Sequence, residues 1–219
     1  KNTMEHLGFF GVNSYAYKTL RFFILVSNCF FAENKARNGG VFYINGKYFD
    51  LFIENCIFQN NIALVSGGIF FCWSFLDFIT KTKNCIFRNN SAESSGVIHN
   101  ILMTYEDDGS IFIDNRAKYA AVLTGLKYTV NKIFNSTIIN SFAVESYNLL
   151  CYPLGNLILI NVRIIGSRAG KSSASLAVLE NGKLECSNCI FFNNSAMSAS
   201  LFFGAIGTTS ILTNCIVLF

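Results

Sequence analysis

Asparagine opens a similar segment at Asn28, Asn55, Asn84, Asn135, Asn161, Asn188 and Asn214, and Gly109 fills the one missing slot. The steps between these positions run from 25 to 29 residues. A period of this size marks a solenoid, because one unit cannot bury its own apolar face and must stack on its neighbours. The clearest units read NCIFQNNIALVSGGIFF from Asn55, NCIFRNNSAESSGVI from Asn84 and NCIFFNNSAMSASLFF from Asn188.

Aligning the units produces columns with a direct physical reading. The first holds Cys29, Cys56, Cys85, Ser110, Ser136, Val162, Cys189 and Cys215. Two residues later come Phe31, Phe58, Phe87, Phe112, Ile138, Ile164, Phe191 and Val217, on the same side of an extended strand. A polar column follows at Asn34, Asn61, Asn90, Asn115, Ser141, Ser167 and Asn194, whose amides can bond the coil above and below. Alanine then recurs without exception at Ala36, Ala63, Ala92, Ala117, Ala143, Ala169 and Ala196, where a narrow interior closes. Gly39-Gly40, Gly67-Gly68 and Gly96 supply turns. Helical repeats need apolar residues three and four apart, and these β-branched and aromatic runs broken by Asn, Ser and Gly lack that spacing. The pattern predicts an all-β, right-handed parallel β-helix of about eight coils, the hand following the preference of parallel crossovers. Residues 1–219 form one domain, with 1–27 a divergent first coil and 28–219 the recognisable repeat. The last unit stops partway, so the chain is expected to be an excerpt of a longer protein.

Composition narrows the function classes. Hydrophobic residues make up 52% and charged residues 14%, which excludes a disordered segment. A net charge of +4, spread along the chain, is no nucleic-acid footprint. The segment 187–219 carries no charge, but its asparagines, serines and threonines exclude a transmembrane span.

The Phe-x-x-Asn motifs at Phe31/Asn34, Phe58/Asn61, Phe87/Asn90, Phe112/Asn115 and Phe191/Asn194 resemble the FxxN half of the polymorphic membrane protein repeat. Gly39-Gly40-Val41 and Gly67-Gly68-Ile69 resemble its GGA[ILV] half, with Val or Ile displacing alanine. The likeness covers most of the chain from Asn28 and fades between Asn131 and Ser175. It implies a pectin-lyase-like β-helix shown at a cell surface, with adhesive or structural roles.

Candidate site residues follow from the same frame. Between the Cys and Phe columns an outward file reads Phe30, Ile57, Ile86, Ile111, Thr137, Arg163, Ile190 and Ile216, and its six apolar members form a candidate interface stripe. Cys29, Cys56, Cys85, Cys189 and Cys215 are expected as stacked free thiols, since neighbours one strand step apart are poorly placed for a disulfide. Cys72 and Cys151 lie off that column, and Cys186-x-x-Cys189 without a second pair or a nearby histidine is a weak zinc signal. Sequons place candidate glycosylation at Asn89, Asn135 and Asn193. Counting forward from each opening position puts Asp50, Asp77 and Glu106 on one column, the best candidate for a cation or glycan site. Glu106-Asp107-Asp108-Gly109 reads as a turn. His6 and His99 are far apart, His99 is expected on the coil surface, and no triad, P-loop or dinucleotide motif is present.

The expectation is a non-enzymatic extracellular or cell-surface protein that assembles laterally or end to end with other protein chains, copies of itself among the candidates, with glycans as further candidate partners. No cofactor and no metal is expected. The alternative is a β-helix that binds or cleaves polysaccharide through the acidic column.

Overall fold

The computed structural model describes residues 9–14, 22–46, 49–74, 78–145, 147–152, 154–170, 176–178, 180–197, 201–205 and 207–218. His6 and Asp77 lie outside the described residues, as does the side chain of Cys151. The chain is all-β and winds into a parallel β-solenoid of about seven turns. Each coil contributes one strand to each of four parallel sheets. In the coil from Phe42 these strands are Phe42–Gly46 (sheet I), Phe49–Glu54 (sheet II), Ile57–Gln59 (sheet III) and Ile62–Ser66 (sheet IV). Among the described residues sheets I, II and III hold eight strands and sheet IV seven. Eight strands enclose seven turns, which reconciles this count with the expected eight coils. Phe10–Ser14 and Phe22–Ser27, in the divergent segment, already pair in register with the next coil.

Two left-handed residues per coil make the sharp corners. Between sheets II and III these are Asn28, Asn55, Asn84, Gly109, Asn135, Asn161, Asn188 and Asn214, all with positive φ. Between sheets III and IV they are Glu33, Asn60, Asn89, Asp114, Asn140, Gly166 and Asn193. Asparagine and glycine recur here because they enter the left-handed region at the lowest cost.

The interior is built from the predicted columns. Phe31, Phe58, Phe87 and Phe112 stack with ring centroids 4.8–5.1 Å apart. Phe42 and Phe70 stack opposite them and meet them edge to face. Fully burying each such ring contributes about 1.5–3 kcal/mol. The alanines face the narrow end, with Ala36 over Ala63 and Ala92, Ala117, Ala143, Ala169 and Ala196 in one register. Beside them, a Cβ on Gly68 would stand 2.0 Å from the Gly96 carbonyl oxygen, so this turn closes only without a side chain.

The polar column forms the expected ladder. Asn34, Asn61 and Asn90 each donate from the backbone N–H and from Nδ2 to the Oδ1 of the next asparagine, ending at Asn115. Nδ2 of Asn61, Asn90 and Asn115 also donates to the carbonyls of Phe31, Phe58 and Phe87. The ladder breaks at Ser141 and Ser167, whose buried hydroxyls have no partner among the described residues, and resumes where Asn194 Oδ1 accepts from the Ser167 N–H.

Candidate functional site

Three outward features bear on function, and the corners position all of them. The first is the face of sheet III. Its strands are three residues long, so two side chains per coil point out. One file runs Phe30, Ile57, Ile86, Ile111, Thr137, Arg163, Ile190, Ile216 in continuous register. The structure therefore brings all six predicted stripe residues together. A second file, unnoticed in the sequence, runs Ala32, Gln59, Arg88, Ile113, Ile139, Ile165, Phe192, Leu218. Alternation from the Phe column was the available signal. Phe30, Ile111, Phe192, Ile216 and Leu218 are exposed. The result is a flat apolar strip two residues wide, interrupted by Arg88 bonded to Gln59 and by Arg163.

The second feature is the outer face of sheet II. Here the predicted acidic column separates. Asp50 stands in register with Ile79 and Thr104, while Glu106 stands beside Lys81 and, through it, Phe52. Unequal turns between sheets I and II shift a count made from the opening asparagine by two residues. Glu106 instead sits between two lysines, accepting from Lys81 Nζ at 2.7 Å and Lys132 Nζ at 2.9 Å. Burial pushes its carboxyl up, but the hydrogen bonds and charges of Lys81 and Lys132 outweigh that and hold it below the ordinary carboxylate range. A groove of about 360 Å³ runs across this face, bordered by Phe52, Lys81, Lys83, Glu106, Asp108 and Phe134.

The Glu106–Asp108 segment is not a turn. It belongs to the strand Thr104–Asp108, with Glu106 and Asp108 outward and Tyr105 and Asp107 inward. Asp107 is fully buried, accepting from Thr82 Oγ1 at 2.5 Å and from Ser136 Oγ at 2.6 Å. Burial raises its carboxyl to about 6 against the hydrogen bonds from Ser110, Ser136 and Thr82. Thr82 also bonds the Tyr105 hydroxyl at 2.7 Å. These groups form a buried polar cluster along the inner face of sheet II. Separately, where sheet I leads into sheet II, Asn100 donates to Asn131, and Asn131 to Thr129.

The third feature is the pair of asparagine corners. Asn89, Asn135 and Asn193 are exposed, each in the left-handed conformation. Asn89 Nδ2 donates to Asn60, and Asn135 Nδ2 to Asp108. Asn89 and Asn193 share one margin of the sheet III strip, and Asn135 lies on the other.

The predicted Cys column is present as free thiols, with Cys56, Cys85 and Cys189 buried, Cys215 half-buried and Cys29 exposed. The thiols are more than small apolar plugs. Cys29, Cys56, Cys85, Cys189 and Cys215 each donate to the carbonyl two residues earlier, at 3.2–3.4 Å. The Ser136 hydroxyl stands in the same place, within reach of the Phe134 carbonyl as an alternative acceptor to Asp107. Cys72 is also buried and free. Burial pushes the Cys72 and Cys85 thiols up to about 12. Among the described residues no group of three or more His, Cys, Asp or Glu is placed to hold a metal ion. His99 is buried rather than on the coil surface. It stacks on Phe71 at 5.3 Å and bonds Ser95 Oγ at 3.0 Å, and burial lowers its pKa to about 4. Among the described residues no helix is long and apolar enough to cross a membrane.

No family model, curated protein or solved structure matches the chain.

Proposed function

We propose that this chain is a non-enzymatic structural or adhesive β-solenoid of the cell surface or extracellular space, working by lateral contact with other protein chains. The observation that carries this reading is the apolar strip of sheet III. Eight in-register strands present two files of mainly Ile, Phe and Leu on one face, and contiguous apolar surface of this kind marks interfaces. The FxxN and Gly-Gly motifs, through their resemblance to polymorphic membrane protein repeats, support a surface setting. Sugars at Asn89, Asn135 or Asn193 would stand at the strip's margins and limit how a partner approaches.

Sedimentation velocity tests this on the whole chain and on an Ile111→Lys/Ile190→Lys variant. The wild type should self-associate or bind its partner chain at micromolar concentration. The variant should remain monomeric with an unchanged far-UV spectrum. A wild type that stays monomeric at high concentration, with a hydrophobic dye failing to bind the strip, overturns the reading.

A further inference from the structure

The corner between sheets III and IV carries a notch unlike the rest of its file. Most positions bear a side chain, as in Asn60, Asn89, Asp114, Asn140 and Asn193, but Gly166 bears none. A Cβ at Gly166 would come within 2.6 Å of Asn140 Oδ1, so the asparagine amide lies over the bare glycine. Beneath the same corner, Ser141 and Ser167 replace the asparagine rungs. The outside opens into a groove of about 350 Å³ lined by Asn140, Phe142, Gly166 and Arg168.

The groove's chemistry is set by one outward file of sheet IV. Arg116, Phe142 and Arg168 follow one another in register on three successive coils. The Arg116 guanidinium lies over the Phe142 ring at 5.1 Å, and Arg168 follows Phe142 in register on the next coil. The two arginines are two strand steps apart, about 10 Å. Both are exposed, and neither makes an ion pair among the described residues. Among the described residues the groove lining has no acid. Asp114 borders it one coil away, while Glu93 and Glu145 are engaged by Lys118.

We propose that this notch binds an acidic polysaccharide, with Arg116 and Arg168 holding carboxylate or sulfate groups two coils apart and Phe142 and Asn140 seating a sugar ring between them. Guanidinium forks match such oxyanions, and an aromatic face with an amide suits the C–H and hydroxyl faces of a sugar. An open groove crossing coils admits a polymer rather than a lone ion. A site of two guanidiniums beside Asp114 is too sparse for the uniform charge of a polynucleotide. This inference is independent of lateral assembly through sheet III.

The test is a titration of the full chain with size-defined polygalacturonate and dextran sulfate oligosaccharides, with neutral dextran and oligothymidylate as comparators. At least one acidic oligosaccharide should bind, and neutral dextran should not. Arg168→Ala should weaken binding roughly tenfold. Lys127→Ala, an equal loss of charge at an exposed corner elsewhere, should change it less than about twofold by the same measure. Gly166→Asn fills the notch without altering charge, in a backbone conformation that asparagine already adopts at Asn140 and Asn193. It should weaken binding as much as Arg168→Ala. Equal losses in Arg168→Ala and Lys127→Ala, tighter binding of oligothymidylate, or no binding of either acidic oligosaccharide would overturn the proposal. Should Gly166→Asn misfold, the two charge variants still decide it.

Discussion

Asn90 shows how much one side chain carries in a stacked fold. Its Oδ1 accepts two bonds from Asn61, and its Nδ2 donates to Phe58 and Asn115. Asn90→Ala leaves several buried groups unsatisfied and should cost about 2–4 kcal/mol in urea unfolding. Asp107 acts in the opposite sense. Its folded pKa, about 6, lies above its ordinary 3.8, so the folded state holds the proton more tightly. The associated stability is fully present below about pH 4 and is lost as pH rises through about 6, a change of about 3 kcal/mol. Unfolding measured from pH 4 to pH 8 should show that decline. Asp107→Asn should flatten it and raise stability at pH 7. Neither the buried position nor the value was legible in the run Glu106-Asp107-Asp108-Gly109, because turn composition masked a strand whose alternation is visible only from Tyr105.

At the level of strands and corners, the sequence was legible wherever spacing is fixed. The corner asparagines, the Cys and Phe columns, the alanines and the sheet III file all lie between Asn28-type and Ala36-type positions. There each strand and corner has constant length, so counting forward keeps register. Asp50 and Glu106 were misplaced because they lie beyond the stretches of unequal length, where a count from the asparagine drifts. The second sheet III file and the Lys81–Glu106–Lys132 clamp needed the partner coil to be known. Close approach at the glycine file is equally specific. Gly68→Ala should destabilise by about 1–3 kcal/mol, read as a lowered urea midpoint, since the new methyl meets backbone rather than a flexible side chain.

The whole molecule is nearly one-dimensional: each coil pairs only with the coil before and the coil after it. Energetic coupling should follow that wiring. Asn61→Ala combined with Asn90→Ala, on bonded neighbours, should depart from additivity by about 0.5–3 kcal/mol. Asn90→Ala with Asn194→Ala, which share no partner, should add within about 0.5 kcal/mol, as denaturant titration of the double variants will read. The corners give the rod two unlike sides. Those flanking sheet III always take two residues, whereas the connections into and out of sheet I vary in length from coil to coil. Loops can therefore grow or shrink around sheet I without disturbing the winding, while the sheet III side behaves as a fixed-pitch ruler. Any partner that reads regular spacing must dock on the ruled side, and sequence drift is free to accumulate opposite it.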